Sequence, residues 1–196
     1  MIKNKVIIVI ISLFFINLAS GLNLFSDTFE SGNLNGWNLT SLSGASNWTA
    51  STTNPMNGSF HAQSQPQSTT EPASVIDRTI STAGYQNITF SYYRKLVALD
   101  GPDEFKARWD NGSGWTTIEE TLSASANDAS YLFRSFNLTV ASSDNANFKI
   151  RFECTAGAIS EFCRVDNVSI SGNIILDTTP PSVTINSPQN IFYSTS

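Results

Sequence analysis

Apolar and polar residues alternate with a period of two along most of the chain. In residues 104–110, Phe105, Ala107 and Trp109 alternate with charged residues, and this period is typical of a β-strand with one buried face. The same alternation predicts further strands at residues 24–30, 73–80, 87–95, 115–120, 131–140, 148–154 and 164–171. No window longer than about ten residues holds the period of roughly 3.6 residues that marks an amphipathic helix. The chain is therefore predicted to be all-β.

Turn and loop signals separate these strands. The sequence Asp110-Asn111-Gly112 is a turn signal between two strands of a hairpin. Residues 41–72 are polar and rich in Ser, Thr, Asn, Gln and Pro, so they are predicted to hold only short strands, near Trp48 and Phe60, within long loops. Many short strands without a helix are typical of an antiparallel sandwich or barrel.

The first 21 residues have the pattern of a secretory signal peptide. Lys3 and Lys5 precede an apolar run from Val6 to Leu18, and small residues follow it, which is the order of a cleaved export signal. The alternative is a transmembrane anchor, but the apolar core of about 13 residues is shorter than the roughly 20 that cross a bilayer. Export is therefore predicted, with the membrane contacted only through this segment before cleavage.

The composition changes again near the C-terminus. Residues 177–182 contain Pro180 and Pro181 after two threonines, which predicts a stiff linker. Residues 183–196 hold one alternating strand and are too few to bury a core. The predicted organisation is therefore a signal peptide (1–21), a β-sandwich domain (22–176), the linker and the first strand of a truncated second domain.

Charge and cysteine usage narrow the function classes. The net charge of −5 argues against a nucleic-acid partner, which would require a clustered basic face. One histidine and two cysteines exclude most zinc centres. In an oxidising compartment Cys154 and Cys163 are expected to form a disulfide. A catalytic cysteine is the alternative, but the only histidine, His61, is distant in sequence and offers no support for it.

Asparagine sequons occur at Asn38, Asn47, Asn57, Asn87, Asn111, Asn137 and Asn167. They are acceptors for glycosylation in an exported protein. A chain this rich in Asn, Ser and Thr would contain most of them by chance, so both explanations stay open.

Three motifs in order resemble a known group of extracellular domains. They are FSDTFESGNLNGW at residues 25–37, DEFKARWDNGSGW at 103–115 and CRVDNVSI at 163–170. This set resembles the jelly-roll modules of secreted carbohydrate-binding and MAM-like surface proteins. The MAM pattern pairs a cysteine with the opening Phe-Glu, and its absence here favours the carbohydrate-binding group. The tail DTTPPSVTINSP resembles the entry to an Ig-like repeat of microbial surface proteins.

The resemblance implies an antiparallel jelly-roll β-sandwich, concanavalin-like or galactose-binding-like, with a short C-terminal extension. It also implies a secreted or cell-surface module, without catalysis, that binds an extracellular glycan or a surface protein. A structural spacer, or an accessory domain of a larger extracellular enzyme, is the alternative.

A carboxylate near the closing motif raises the question of a cation. Asp166 is in phase with Val168 and Ile170, which are expected to face the core, and a buried carboxylate is costly unless it is paired or coordinated. The resemblance implies a structural Ca²⁺ with Glu30 and Asp166 as ligands, completed by carbonyls of residues 57–59. The alternatives are that Asp166 accepts hydrogen bonds from loop backbone or pairs with Arg78.

Exposed aromatic and guanidinium groups are the candidates for ligand contact. Sugars present C–H faces that stack on aromatic rings, and hydroxyls that bond to polar side chains. Trp37 and Trp109 are in phase with core positions and are expected to be buried. The residues expected to reach a ligand are Trp48, Tyr93, Arg108 and Trp115, with Arg94 beside Tyr93.

Catalysis is the weaker hypothesis. A glycosidase requires two carboxyl groups facing each other across a cleft, and the candidates are Asp103, Glu104, Glu119 and Glu120. Glu119 and Glu120 are adjacent on a strand and therefore point to opposite faces. The sequence contains no G-x-S-x-G, H-E-x-x-H or phosphate-loop motif. The chain is predicted not to be an enzyme.

Overall fold

A computed structural model describes residues 21–41, 48–65, 73–122 and 127–182. Nearly all of the predicted signal peptide and the strand predicted at residues 183–196 lie outside these ranges. Within them, no helix has the length and apolar character needed to span a bilayer.

Within the described ranges, eleven strands form two antiparallel sheets that face each other as a jelly-roll β-sandwich. They are β1 (Leu22–Asp27), β2 (Asn38–Ser41), β3 (Trp48–Ser51), β4 (His61–Ser64), β5 (Ser74–Ile80), β6 (Tyr85–Val97), β7 (Glu104–Asp110), β8 (Trp115–Leu122), β9 (Leu132–Asn137), β10 (Phe148–Thr155) and β11 (Phe162–Ile174). One sheet has the order β3-β4-β11-β6-β9, with β1 also paired to β11. The other has the order β2-β5-β10-β7-β8.

The alternation predicted from the sequence fills the space between the sheets. Phe105, Ala107 and Trp109 of β7 are buried, as predicted, and their charged neighbours lie on the outer side. The ring of Phe152 on β10 lies 4.9 Å from that of Tyr92 on β6, so aromatic side chains join the two sheets across the core. Such contacts add specific ring geometry to the burial of apolar area.

The sheet edges differ from the prediction. Strand β9 ends at Asn137 and a 3₁₀ turn follows at Val140–Ser142, so Val140 is 88% exposed rather than part of an alternating strand. The short strand β2 was missed, because Asn38–Ser41 contains a single apolar residue. Both β2 and β9 are edge strands, where the burial pattern is weakest.

The disulfide prediction is confirmed. Cys154 at the end of β10 is bonded to Cys163 at the start of β11, and both side chains are buried. The bond closes the connection between a strand of one sheet and the central strand of the other. It therefore links the two layers of the sandwich covalently.

A β-bulge changes the face on which Asp166 lies. The register between β11 and β6 shifts between Asp166 and Ser169, and Asn167 has a left-handed φ of 47°. Because the bulge inserts one residue, Asp166 is out of phase with Val168 and lies opposite the outward-facing Tyr93. The prediction that Asp166 faces the core is wrong, although its side chain is fully buried beneath the loop that precedes β4.

Candidate functional site

The outer face of the five-stranded sheet carries a continuous set of polar side chains. Cross-strand register places Arg151 of β10 beside Asp77 of β5 and Arg108 of β7, and Glu153 beside Lys106. We call this surface the charged face. Its members used below are Asp77, Glu104, Lys106, Arg108, Trp115, Thr117, Glu120, Arg151 and Glu153.

Ion pairs between neighbouring strands order the charged face. Nη1 of Arg108 lies 3.2 Å from Oε1 of Glu153, and its Nε donates to Oγ1 of Thr117 at 3.0 Å. Nη2 of Arg151 lies 3.2 Å from Oδ1 of Asp77. Lys106 pairs with Glu104 and Glu120. The hydrogen bond to Glu104 is the largest cause of the raised pKa of the Lys106 ammonium group, and Glu120 adds to it. Each of these three cations therefore has a carboxylate partner.

Trp115 stands at one end of the charged face, directly after the predicted turn. The carboxylate of Asp110 fixes this turn by accepting the backbone N–H groups of Gly112 at 2.6 Å and Gly114 at 3.0 Å. The Arg151 guanidinium carbon lies 3.8 Å from the indole centroid, a cation–π contact. A shallow pocket of about 130 Å³ opens further along the face, between Ala73, Glu104, Lys106, Glu153 and Thr155.

The outer face of the six-stranded sheet carries aromatic side chains instead. Tyr93 of β6 lies opposite Phe133 of β9, and their ring centroids are 5.1 Å apart. Phe133 is 57% exposed. Lys95 follows two residues after Tyr93 and therefore shares its face. We call this surface the aromatic face, with Tyr93, Lys95, Tyr131 and Phe133 as its members.

The predicted ligand residues do not form one site. Arg108 and Trp115 come together on the charged face, whereas Tyr93 lies on the opposite side of the sandwich. Trp48 begins β3, where a short strand was predicted, but it is only 2% exposed and donates its indole N–H to the Ser74 carbonyl at 3.2 Å. Its prediction as a ligand contact is therefore wrong.

Arg94 and His61 also differ from their predictions. Arg94 is buried, and pairs with Glu119 at 2.9 Å and Asp128 at 2.8 Å, so it does not line an outer groove beside Tyr93. His61 lies next to the short strand predicted near Phe60 and is the fully buried first residue of β4. The residues that the sequence reasoning missed include Arg151, Glu153 and Phe133, although the charged positions alternate in phase within β10.

The two carboxylates predicted to bind calcium both face the loop that precedes β4. The Glu30 carboxylate accepts the backbone N–H groups of Ser59, at 3.0 and 2.9 Å to its two oxygens, and of Phe60 at 2.9 Å. These bonds, that of Phe60 first, lower the pKa of Glu30. A Cβ atom on Gly58 would lie 2.4 Å from Oε1 of Glu30, so glycine permits this close approach of loop and carboxylate.

Asp166 is held in the same manner from the closing strand. Its oxygens accept the backbone N–H groups of Met56 at 3.0 Å, Asn57 at 3.4 Å and Asn167 at 2.7 Å. Burial nevertheless raises the pKa of Asp166, because desolvation disfavours the charged form. The alternative in which Asp166 accepts bonds from loop backbone is thus confirmed, and Arg78 instead donates to the Asn35 carbonyl.

This arrangement does not fit a calcium site. Ca²⁺ takes about six to eight oxygen ligands, whereas the described loop contacts of Glu30 and Asp166 are backbone N–H groups, which cannot coordinate a cation. The contacts therefore give the predicted calcium ion no support.

A second group of carboxylates lies at the connection between β10 and β11. Oxygens of Asp100, Asp103 and Glu161 lie within 4.8 Å of one another. Glu161 accepts the backbone N–H of Gly157 at 2.6 Å and that of Ala158. Burial, and to a smaller extent the neighbouring Asp103, raises the pKa of the Glu161 carboxyl group. These hydrogen bonds hold the connection between β10 and β11 in place, which gives Glu161 a structural role.

Comparison with known proteins shows the fold. No protein-family model matches this sequence, and no curated protein matches it. A family 61 carbohydrate-binding module, solved with β-1,4-galactotriose, superposes with a TM-score of 0.58 at 11% identity, over 78% of this chain and 99% of that one. An adhesin domain of Lys-gingipain from Porphyromonas gingivalis superposes with a TM-score of 0.56 at 14% identity, over 77% and 98%.

A module of another carbohydrate-binding family shares the same architecture. A family 22 carbohydrate-binding module from Clostridium thermocellum Xyn10B has a TM-score of 0.52 at 15% identity, over 79% of this chain and 96% of that chain. At these identities the similarity is one of fold, and function does not follow from fold. The chain therefore has the antiparallel jelly-roll sandwich of these binding modules.

Proposed function

We propose that this protein is a secreted or cell-surface, non-catalytic carbohydrate-binding module that binds its glycan on the charged face. The observation that carries the proposal is the ordered set of paired cations and carboxylates that extends across the strands from Trp115. Together they present an aromatic ring and many fixed hydrogen-bonding groups on one surface.

The charged face matches the chemistry of a neutral sugar. Each sugar hydroxyl both donates and accepts a hydrogen bond, so a surface that alternates carboxylates with guanidinium and ammonium groups can satisfy several hydroxyls at once. Arg108 and Glu153 hold each other in place, which reduces the side-chain entropy lost on binding. Trp115 is only partly buried, and its exposed part offers a surface for the C–H face of a sugar ring.

The fold supports a binding role rather than catalysis. Its structural neighbours include a module solved with galactotriose and a xylan-binding domain. The carboxylates of the charged face are paired with cations, as expected for groups that orient hydroxyls. The adhesin neighbour favours adhesion to a surface protein as the second candidate function.

Calorimetric titration of the purified protein with β-1,4-galactotriose and xylohexaose tests the proposal. We expect Trp115→Ala and Arg108→Ala each to weaken binding at least tenfold, since a central aromatic or arginine contact often contributes about 2 kcal/mol. Tyr93→Ala, on the opposite face, is the control and should leave this affinity unchanged. Failure of both sugars to bind the folded protein would favour the adhesion role, and equal binding by Trp115→Ala and Arg108→Ala would exclude the charged face.

A further inference from the structure

The aromatic face has the features of a second binding surface. We propose that it binds an acidic oligosaccharide, with a sugar ring stacked on Phe133 beside Tyr93 and the sugar carboxylate paired with Lys95. This surface belongs to the other sheet and shares no residue with the charged face, so the inference goes beyond the function proposed above.

The stacking platform is formed by two strands. Tyr93 and Phe133 are direct cross-strand neighbours on β6 and β9, and their planes meet at 48° with centroids 5.1 Å apart. Phe133 leaves more than half of its surface in contact with solvent. An exposed phenyl ring on an edge strand gains nothing from the protein core, whereas it offers a flat apolar surface to the C–H face of a sugar.

A pocket of about 400 Å³ adjoins this platform. It is lined by Asn54, Pro55, Met56, Lys95, Ala129, Ser130 and Tyr131. Lys95 and Tyr131 connect it to the aromatic pair, because they lie two residues from Tyr93 and Phe133, respectively, on the same side of the sheet. Its volume is within the range of ligand sites, about 300–1,000 Å³. The Tyr131 hydroxyl donates to the Asn54 carbonyl at 3.2 Å and so holds the two sides of the pocket together.

Cations without carboxylate partners give this pocket its preference for an anion. Among the described ion pairs, none involves Lys95 or Arg164, although the two residues are direct neighbours on β6 and β11. Arg164 is buried, and its Nε donates to the neutral Oε1 of Gln63 at 2.8 Å. Lys95, which lines the pocket, is therefore a cation with no carboxylate partner among the described ion pairs, and it is the group we assign to the sugar carboxylate.

The acidic groups nearby are directed at other donors. Asp166 lies beside Tyr93 and adds a negative charge, and its oxygens accept three backbone N–H groups. Asp128 accepts hydrogen bonds from the Arg94 guanidinium and the Leu96 backbone, both at 2.8 Å.

A buried histidine, His61, lies beside Tyr131. The rings of His61 and Tyr131 are 6.3 Å apart, edge to face, and neither nitrogen of the fully buried His61 makes a well-aligned hydrogen bond within the described chain. Tyr131 also interacts electrostatically with Arg164 and with Asp166. Polar and charged groups therefore lie around the Tyr131 side of the pocket.

Titration of the purified protein with trigalacturonate, against neutral β-1,4-galactotriose, tests this inference. We expect trigalacturonate to bind more tightly than the neutral sugar at this surface and to weaken as sodium chloride is raised from 50 to 500 mM. Lys95→Gln and Phe133→Ala should each reduce its affinity about tenfold, and Lys95→Arg should retain most of it. Lys149→Gln is the matched control, because Lys149 lies on β10 of the opposite sheet and loses the same charge, away from the residues assigned to either ligand.

The outcomes separate this inference from the proposed function. Loss of trigalacturonate binding in Lys95→Gln and Phe133→Ala, but not in Trp115→Ala, would support the second surface whether or not the neutral sugars bind. The inference is overturned if trigalacturonate does not bind, or if binding is unchanged in both aromatic-face variants. Sedimentation analysis is run in parallel, and a dimer abolished by Phe133→Ala would assign the aromatic face to a second copy of the chain instead.

Discussion

At the scale of single residues, burial gives the adjacent Glu119 and Glu120 different partners and different effects on stability. Glu119 is buried at the inner side of β8 and accepts the Tyr92 hydroxyl, while its Oε1 lies 2.9 Å from Nε of Arg94 and 2.7 Å from Nε of Arg134. Glu120 is exposed and pairs with Lys106. Burial, followed by the charge of Glu119, raises the pKa of Tyr92 far above its usual range, so this phenol stays a donor.

Glu119→Gln is expected to lower the free energy of unfolding by about 3 kcal/mol. The change leaves the guanidinium groups of Arg94 and Arg134 without their shared carboxylate, and breaking a buried pair costs about 3–5 kcal/mol. Glu120→Gln is the matched control and should change stability by less than about 0.5 kcal/mol. Urea denaturation of both variants measures the difference, and similar values would contradict the network.

The single histidine gives a second prediction at this scale. Burial, followed by the positive charge of Arg164, lowers the pKa of His61 from 6.5 to about 4, and the neighbouring Gln63 opposes this in part. Because the unfolded chain binds the proton more readily, the contribution is present above pH 6.5 and is lost as the pH falls towards 4. Between pH 7 and 5 the loss should be about 2 kcal/mol.

Proton NMR titration of the only imidazole measures this pKa directly. The variant His61→Phe should lack the corresponding part of the decrease in stability between pH 7 and 5. An imidazole that titrates near pH 6.5 in the folded protein would show that His61 is solvated.

At the scale of elements, the disulfide between β10 and β11 is expected to stabilise the sandwich through the unfolded state. It closes a loop across a sequence separation of 9 residues, for which chain entropy predicts about 2.5–3 kcal/mol. We expect reduction, or the double change of Cys154 and Cys163 to alanine, to lower unfolding free energy by this amount and to leave the β-sheet circular dichroism intact. Loss of the folded spectrum on reduction would mean that the bond holds the two sheets together.

The elements also show where sequence reasoning succeeds. Strand β7 was predicted with its observed bounds, because four charged residues alternate with three apolar ones. Tyr131–Val140 was less accurate, since an edge strand buries little and its alternation carries less information. The face on which Asp166 lies could not be predicted. The single-residue bulge at Asn167 reverses the inward and outward alternation of the β11 residues that precede it, and the hydrophobic pattern does not reveal such a bulge.

The placement of the candidate ligand residues depends on contacts between distant segments. Arg108 and Trp115 lie on either side of a turn that the sequence predicts. Trp48 was misplaced because its burial depends on Ser74, 26 residues away. Arg151 contacts Trp115 only through the pairing of separate strands, which a period along one strand does not reveal.

At the scale of the whole molecule, backbone N–H groups of the loop before β4 bind Glu30 of the opening segment and Asp166 of the closing strand. Calcium binding can be tested at these two carboxylates. With Glu30 and Asp166 held by N–H groups, we expect 2 mM calcium or a chelator to shift the melting temperature by less than about 1 °C. A bound ion at 100 times its Kd would add about 2.7 kcal/mol, a shift of several degrees for a domain of this size. A shift of that size that disappears in Glu30→Gln would establish the calcium site.

The back-to-back placement of the charged and aromatic faces has a mechanical consequence. Two chains held on opposite sides of one rigid sandwich cannot be two parts of the same short oligosaccharide, so each occupied module would join separate polymers. Such a module behaves as a cross-link whose strength grows with the number of copies on a surface. A mixture of neutral and acidic polysaccharides would then gel or precipitate in the presence of the protein, whereas either polymer alone would stay in solution.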